Sequence, residues 1–110
     1  MKHVVLAAVL LPSLCTAEEW RGLAGDEIRA ALEGRRVVYE SGAWQEFRTS
    51  GRTLYNAGRD SWGYWQVRGD TYCSMWPPSD LWACYRVEGT QDGIRFIGAS
   101  GDVTEGRYDD

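Results

Sequence analysis

Two aspartates close to tryptophans are the side chains of this sequence with the clearest potential for catalysis. Asp60 precedes Trp62, and Asp80 precedes Trp82 after a pair of prolines. Two carboxylates beside stacked sugar rings are the arrangement that glycosidases use for acid and nucleophilic catalysis. Aspartate is also common in turns, because its side chain hydrogen-bonds to nearby backbone groups. Both aspartates lie among glycine, serine or proline residues, so the turn interpretation is favoured and no catalytic residue is assigned.

The chemistry available to the chain depends on whether its first seventeen residues are removed. A short basic start leads into an apolar run from Val4 to Leu14, then into small residues up to Ala17 and two glutamates. This layout is typical of a cleaved signal peptide, and the run is shorter than the roughly 20 residues that span a membrane. We therefore expect cleavage after Ala17 and a periplasmic or secreted protein. Cys15 leaves a lipid-modified N-terminus as a second interpretation, although Leu14 stands where lipoprotein signals carry a small residue.

Removal of residues 1–17 would take away the single histidine, His3, and the single lysine, Lys2. For the single domain expected over residues 18–110, this excludes histidine-dependent hydrolases, histidine-ligated metal sites and lysine Schiff bases. The remaining 11 arginines stand against 16 acids, a formal net charge of −5. Nucleic-acid-binding proteins neutralise phosphates with basic clusters, so no nucleic acid is expected as a partner. Neither a cofactor nor a metal site is expected.

The remaining sequence predicts one helix followed by short strands. Acids at 26–27 suit a first helical turn, Ile28, Ala31 and Leu32 share one stripe, and Gly34 ends the helix. Connections as short as those that follow join antiparallel strands. We therefore expect a mainly β fold, an antiparallel meander that forms a half-barrel or small barrel of about seven to eight strands. The expected strands are 36–40, 44–49, 52–56, 62–68, 71–76, 81–88, 94–98 and 103–108.

The loop lengths around residues 62–88 bring two cysteines face to face. A two-residue turn at 69–70 and a four-residue loop at 77–80 place Cys73 opposite Cys84. In an exported protein these cysteines are expected to form a disulfide, with two free buried thiols as the alternative. The same count predicts five further opposed pairs: Arg68 and Thr71, Gln66 and Cys73, Tyr64 and Met75, Tyr72 and Tyr85, and Met75 and Trp82.

Alternation along these strands separates a core face from an outer face. On the outer face Tyr64, Met75 and Trp82 lie beside the cysteines, and we call these three residues the outer strip. Either the helix covers the outer strip with Ile28 and Leu32, or the strip is an exposed binding surface. The core face carries Trp65, Val67, Tyr72, Trp76, Leu81, Ala83, Tyr85 and Val87.

One longer pattern in the chain resembles a known group of proteins. The motif G-x-W-x-V-x-G-D-x-Y-C-x-x-W runs from Gly63 to Trp76, with a Cys-Tyr pair at 84–85 and a helix–glycine start upstream. This combination resembles small exported proteobacterial proteins and covers nearly the whole chain after residue 17. The resemblance implies no activity, ligand or cofactor.

Together these features favour a non-enzymatic exported binding module. A carbohydrate, another cell-envelope component or a protein is the expected partner, because ring faces cover apolar area while charges orient polar groups. No membrane span is expected in the mature domain. The alternatives are a structural cell-envelope component without a small ligand and a small carboxylate-dependent hydrolase. The candidate ligand-binding residues are Arg59, Asp60, Trp62, Tyr64, Met75, Trp76, Asp80 and Trp82.

Overall fold

The computed structural model describes residues 19–110, which form a closed antiparallel barrel of eight strands with one added strand and one helix. The predicted signal peptide at residues 1–17 lies outside the described residues. Within the described residues, no helix has the length and apolar character needed to cross a membrane. In chain order the elements are β1 (Arg21–Gly22), α1 (Gly25–Leu32), β2 (Arg36–Tyr39), β3 (Trp44–Phe47), β4 (Arg52–Asn56), β5 (Asp60–Arg68), β6 (Thr71–Met75), β7 (Ala83–Gly89), β8 (Gly93–Ile97) and β9 (Val103–Tyr108).

The barrel is a meander in which consecutive strands from β2 to β9 pair with one another. Pairing of β2 with β9 closes the ring, for example at Val38 and Arg107. The added strand β1, which the sequence did not predict, pairs with the far end of β7. The expected meander is therefore confirmed in its closed form, and closure removes the exposed strand edges that favour aggregation.

The pairing predicted around the cysteines is confirmed. Cys73 lies opposite Cys84 and the two are disulfide-bonded, with Cα atoms 4.0 Å apart. The ladder between β6 and β7 ends at Ser74 and Ala83, so the predicted pairing of Met75 with Trp82 is wrong. Four other predicted pairs are present: Arg68 and Thr71, Gln66 and Cys73, Tyr64 and Met75, and Tyr72 and Tyr85.

Leu81 does not lie on the core face as predicted, because 77% of it is exposed. The predicted four-residue loop is longer, and residues 76–82 connect β6 to β7. Proline has no backbone N–H to donate to a strand ladder, so the pair at 77–78 ends the pairing early. The longer connection carries Leu81 beyond the barrel wall into solvent.

The helix α1 closes one end of the barrel, which we call the helix end. Ile28 and Leu32 are fully buried and belong to the same core cluster as Phe47, Trp65 and Tyr72. The hypothesis that α1 covers the outer strip is therefore wrong. Packing of Ile28 and Leu32 against this cluster removes their apolar area from water.

The start of α1 is attached to the turn between β5 and β6. The backbone N–H of Gly25 donates to the carboxylate of Asp70 at 2.9 Å. A side chain at position 25 would overlap the carbonyl oxygen of Gly69, so this close approach requires glycine. Glu27 accepts from the N–H of Ala24 at 2.8 Å, which satisfies another free donor at the helix start.

Candidate ligand-binding site

The end of the barrel opposite α1, which we call the open end, contains a cavity of about 510 Å³. Small-molecule sites commonly have volumes of about 300–1,000 Å³. An eight-stranded barrel is just wide enough to be filled by side chains or to hold one small ligand. Every barrel strand or its adjoining connection contributes to the lining, which consists of Tyr39, Ser41, Gln45, Tyr55, Ser61, Tyr72, Ser74, Trp76, Tyr85, Phe96, Asp102 and Thr104.

Six aromatic rings in two groups form much of the cavity wall. In the first group, Tyr55 lies 6.3 Å from Tyr39 and 6.1 Å from Trp76 between ring centroids. In the second group, which consists of Tyr72, Tyr85 and Phe96, the closest rings are those of Tyr72 and Phe96 at 4.9 Å. The planes of Tyr55 and Trp76 meet at 74°, so these two rings meet edge to face rather than stacking upon each other.

Trp76 reaches the cavity wall because the strand beside it carries a glycine. A Cβ atom at Gly63 would lie 2.6 Å from the Trp76 ring, closer than carbon atoms can approach. The indole Nε1 of Trp76 then donates to the hydroxyl of Ser74 at 3.2 Å. Gly63 therefore determines the position of this wall of the cavity.

Gln45 organises the polar side chains at the floor of the cavity. Its amide oxygen accepts from the hydroxyl of Tyr39 at 2.6 Å. Its amide nitrogen donates to Thr53 at 2.8 Å and to the hydroxyl of Tyr72 at 3.3 Å. Only 6% of Gln45 is exposed, so an unpaired amide there would be costly. These hydrogen bonds hold the rings of Tyr39 and Tyr72 in place, and they occupy both the oxygen and the nitrogen of the Gln45 amide.

Four other hydroxyl groups that face the cavity remain available to a ligand. Within residues 19–110, the side-chain hydroxyls of Tyr55, Ser61, Tyr85 and Thr104 make no hydrogen bond to another residue. At the rim, Asp102 is the single charged residue among the described residues that line the cavity. One of its carboxylate oxygens accepts from Ser100 at 2.7 Å. The cavity therefore presents aromatic surface, unpaired hydroxyls and one negative charge.

Burial makes Tyr39 and Tyr72, the two tyrosines at the floor of the cavity, hard to ionise. Burial raises the pKa of Tyr72 to about 12, although hydrogen bonds with Ser74 and Gln45 act in the opposite direction. Burial also raises the pKa of Tyr39, helped by repulsion from the neighbouring phenolates of Tyr72 and Tyr55. Both hydroxyls are therefore neutral across the physiological pH range.

Alkaline titration is expected to show these two tyrosines ionising late. An unfolded tyrosine has a pKa near 10. A raised folded pKa therefore contributes stability below about pH 10, which is lost as the pH rises toward the folded values. Absorbance at 295 nm should show fewer than the six tyrosinates of the chain until circular dichroism reports unfolding. In Tyr72→Phe one late tyrosinate should disappear, whereas six ionisations near pH 10 in a folded protein would contradict the buried positions.

The structure places one of the eight sequence candidates, Trp76, in the cavity lining. Arg59 and Asp80 are exposed in connections at the open end, and Asp60 is exposed at the start of β5, where it accepts a hydrogen bond from Asn56 at 2.8 Å across the preceding turn. Trp62, Tyr64, Met75 and Trp82 lie outside the lining, and Trp62 and Tyr64 are 39% and 42% exposed.

Arginines cover the tryptophans of the outer surface. Guanidinium carbons of Arg52 and Arg48 lie 4.4 and 5.3 Å from the ring centroid of Trp62, and that of Arg68 lies 5.1 Å from Trp82. Each such contact contributes about 0.5–1 kcal/mol at an exposed site. The arginines occupy ring faces that a sugar would otherwise stack upon.

Sequence reasoning missed most of the cavity lining, although one signal was present. Polar residues alternate with aromatic ones at inward-facing positions, for example Ser74 between Tyr72 and Trp76. A polar side chain on a core face needs a partner, and several such positions on different strands indicate a cavity or a buried network. Gln45 shows the same pattern on β3, where the next inward-facing residue is Phe47.

Similarity to known proteins adds no functional assignment. Comparisons of the chain with protein-family models, with curated proteins and with solved structures found no match. The described part of the chain contains no group of three or more His, Cys, Asp or Glu side chains placed to hold a metal ion. The shape, polarity and charge of the cavity are the remaining guides to function.

Proposed function

We propose that this protein is a non-enzymatic binding protein that holds a small amphipathic molecule in the open end of its barrel. The observation that carries the proposal is the cavity of about 510 Å³ lined by six aromatic rings. Four hydroxyls that make no hydrogen bond to another residue of 19–110 also face it, two of them on the rings of Tyr55 and Tyr85. Mostly apolar walls with a few convergent polar groups are the usual composition of a ligand site, because the walls supply affinity and the polar groups set orientation.

The rigidity of the cavity supports binding. Most of its lining side chains belong to paired strands, and hydrogen bonds with Gln45 hold Tyr39 and Tyr72 in place. A preformed site reduces the side-chain ordering that binding must otherwise pay for. The buried cluster at the helix end keeps the barrel stable independently of any ligand, since Ile28 and Leu32 fill the interior there.

The charge of the cavity supports binding over glycoside hydrolysis. Glycosidases use two carboxyl groups about 5–10 Å apart. In the described residues, the cavity lining has one carboxylate, Asp102. The other proposal, a glycan or envelope partner on the outer tryptophans, has weaker support because Arg48, Arg52 and Arg68 lie over those rings.

The disulfide supports export as part of the same proposal. The bond between Cys73 and Cys84 is consistent with an oxidising compartment. Export to the periplasm or outside the cell would expose the cavity to small molecules from the surroundings. The proposed role is therefore capture of a small molecule outside the cytoplasm.

Thr104→Trp is expected to weaken binding of a neutral fluorescent probe, N-phenyl-1-naphthylamine, by at least about tenfold. Thr104 lines the cavity from β9, so an indole there would occupy the space that the probe needs. The loss corresponds to about 1.4 kcal/mol or more of binding free energy. Probe fluorescence measured in a titration of the folded protein gives the dissociation constant of each variant.

Val103→Trp is the matched control, because Val103 precedes Thr104 on the same strand and is 55% exposed. Alternation directs its side chain away from the cavity, so this variant should bind the probe as the wild type does. Equal affinity in both variants would place the probe outside the cavity, and absence of binding by the wild type would contradict the proposal directly.

A further inference from the structure

We propose that the cavity selects a cationic ligand, an ammonium or quaternary ammonium group carried on an apolar body. This inference rests on the proposed function and adds the chemical class of the ligand. It follows from three features of the open end: an aromatic ring without a resident cation, a single negative charge at the rim, and the absence of any positive charge from the lining in the described residues.

The tryptophans of this chain provide an internal comparison. All six tryptophans of the sequence lie in the described residues, and five have an arginine over the ring. Their closest guanidinium carbons lie between 3.9 and 5.7 Å from the ring centroids of Trp20, Trp44, Trp62, Trp65 and Trp82. Trp76 is the exception within residues 19–110 and is also the one tryptophan that lines the cavity.

An indole that no arginine of residues 19–110 covers, and that lines a partly enclosed cavity, is a favourable place for a cation. Tryptophan attracts cations more strongly than the other aromatic side chains, and the attraction increases when water is excluded. Tyr55 lies beside Trp76 at 6.1 Å with its plane turned by 74°, so two ring orientations are offered to one ligand. Aromatic cages of this kind bind quaternary ammonium groups.

The charge at the rim has the sign that such a ligand needs. Asp102 lines the cavity and takes part in no ion pair with another residue of 19–110. Its hydrogen bond from Ser100 leaves the other carboxylate oxygen available to a ligand. The hydroxyl oxygens of Tyr55 and Tyr85 add acceptors for an ammonium N–H.

The same lining disfavours anions. No arginine belongs to the lining formed by the described residues, so a carboxylate or phosphate entering the cavity would lose water without gaining an opposite charge. The whole chain has a formal net charge of −4, which also attracts cations toward the protein. Fatty acids and other acidic amphiphiles are therefore poor ligands for this cavity.

The test is competition against N-phenyl-1-naphthylamine by three small molecules that share a phenyl ring. Phenyltrimethylammonium carries the cation, tert-butylbenzene is its neutral isostere, and benzoate carries a negative charge. The cation should displace the probe at a concentration about tenfold lower than the isostere does, and benzoate should be the weakest. Affinities are measured for the full chain at physiological ionic strength, where charges far from the cavity are screened.

Asp102→Asn and Trp76→Leu should each weaken the cation at least about threefold, with a smaller change for tert-butylbenzene. Asparagine keeps the acceptor that Ser100 uses, and leucine keeps an apolar wall. Asp92→Asn is the matched control, because it makes the same charge change in the turn between β7 and β8 at the helix end. It should alter no affinity.

The outcomes separate the two proposals. Displacement by the cation and the isostere at equal concentrations, or equal effects of Asp102→Asn and Asp92→Asn, would overturn the preference for cations and leave the binding function standing. Displacement of the probe by benzoate at a lower concentration than by phenyltrimethylammonium would also overturn the preference for cations. If the probe did not bind the wild type, or bound Thr104→Trp with unchanged affinity, both the proposed binding function and the proposed ligand class would be contradicted.

Discussion

Phe47→Ala is expected to lower the free energy of unfolding by about 3–5 kcal/mol. Phe47 is fully buried on β3 and belongs to the core cluster that Ile28 and Leu32 complete. Its ring lies 5.8 Å from Trp65 and 5.7 Å from Tyr72, in both cases edge to face. Truncation would remove these contacts and leave a void, since neighbouring rings in a closed barrel cannot move inward to fill it.

Urea denaturation followed by circular dichroism measures this loss. Trp62→Ala is the matched control, because it removes an aromatic ring from an outward position that is 39% exposed. The control should lose about 1–2 kcal/mol, chiefly from its two arginine contacts. It should also bind the neutral probe like the wild type, because Trp62 is outside the cavity lining. Equal losses in the two variants would contradict the division between core and outer surface.

Removing the disulfide with the double variant Cys73→Ala and Cys84→Ala should cost about 2–3 kcal/mol of unfolding free energy. The bond links residues 11 apart in sequence, and its loss gives the unfolded chain more conformations. The fold itself should persist, because β6 and β7 remain paired and their inward side chains, Tyr72 and Tyr85, are unchanged.

Reduction of the wild type supplies a matched control for that variant. A reducing agent should bring the wild type to the stability of the double variant and leave the double variant unchanged. Alanine is used because Cys73 is fully buried, where a serine hydroxyl would add its own cost. A wild type whose unfolding is indifferent to reduction would contradict the contribution assigned to this bond.

The two ends of the barrel differ in packing: the helix end is filled by buried side chains, and the open end contains the cavity. At the helix end, Gly25 approaches the β5–β6 turn closely enough for Asp70 to accept a hydrogen bond from its backbone. The packed cluster there excludes water and supplies stability. At the open end, Gly63 makes room for Trp76, and hydroxyl groups replace apolar side chains. Tyr72 and Phe96 belong to both the buried core and the cavity lining, so the inner part of the cavity wall is formed by the core that the helix closes.

The register of the hairpins was predictable because short turns leave little freedom in strand pairing. Gly69 adopts a positive φ of 56° in the two-residue turn, and the pairs on both sides of it follow by counting. Counting failed beyond Ser74, where the prolines lengthened the next connection. A loop length read from sequence is reliable when glycine defines the turn, and less so where proline ends a strand early.

The sequence by itself determined the helix, the order of the strands, the alternation of faces and the disulfide, because each depends on residues near one another in the chain. Only the tertiary structure decided where α1 packs and which side chains meet in the cavity. Barrel closure joins Val37 to Tyr108 across β2 and β9, and no local periodicity specifies that contact. The cavity depends on the same closure, since its rings arrive from strands distributed around the whole barrel.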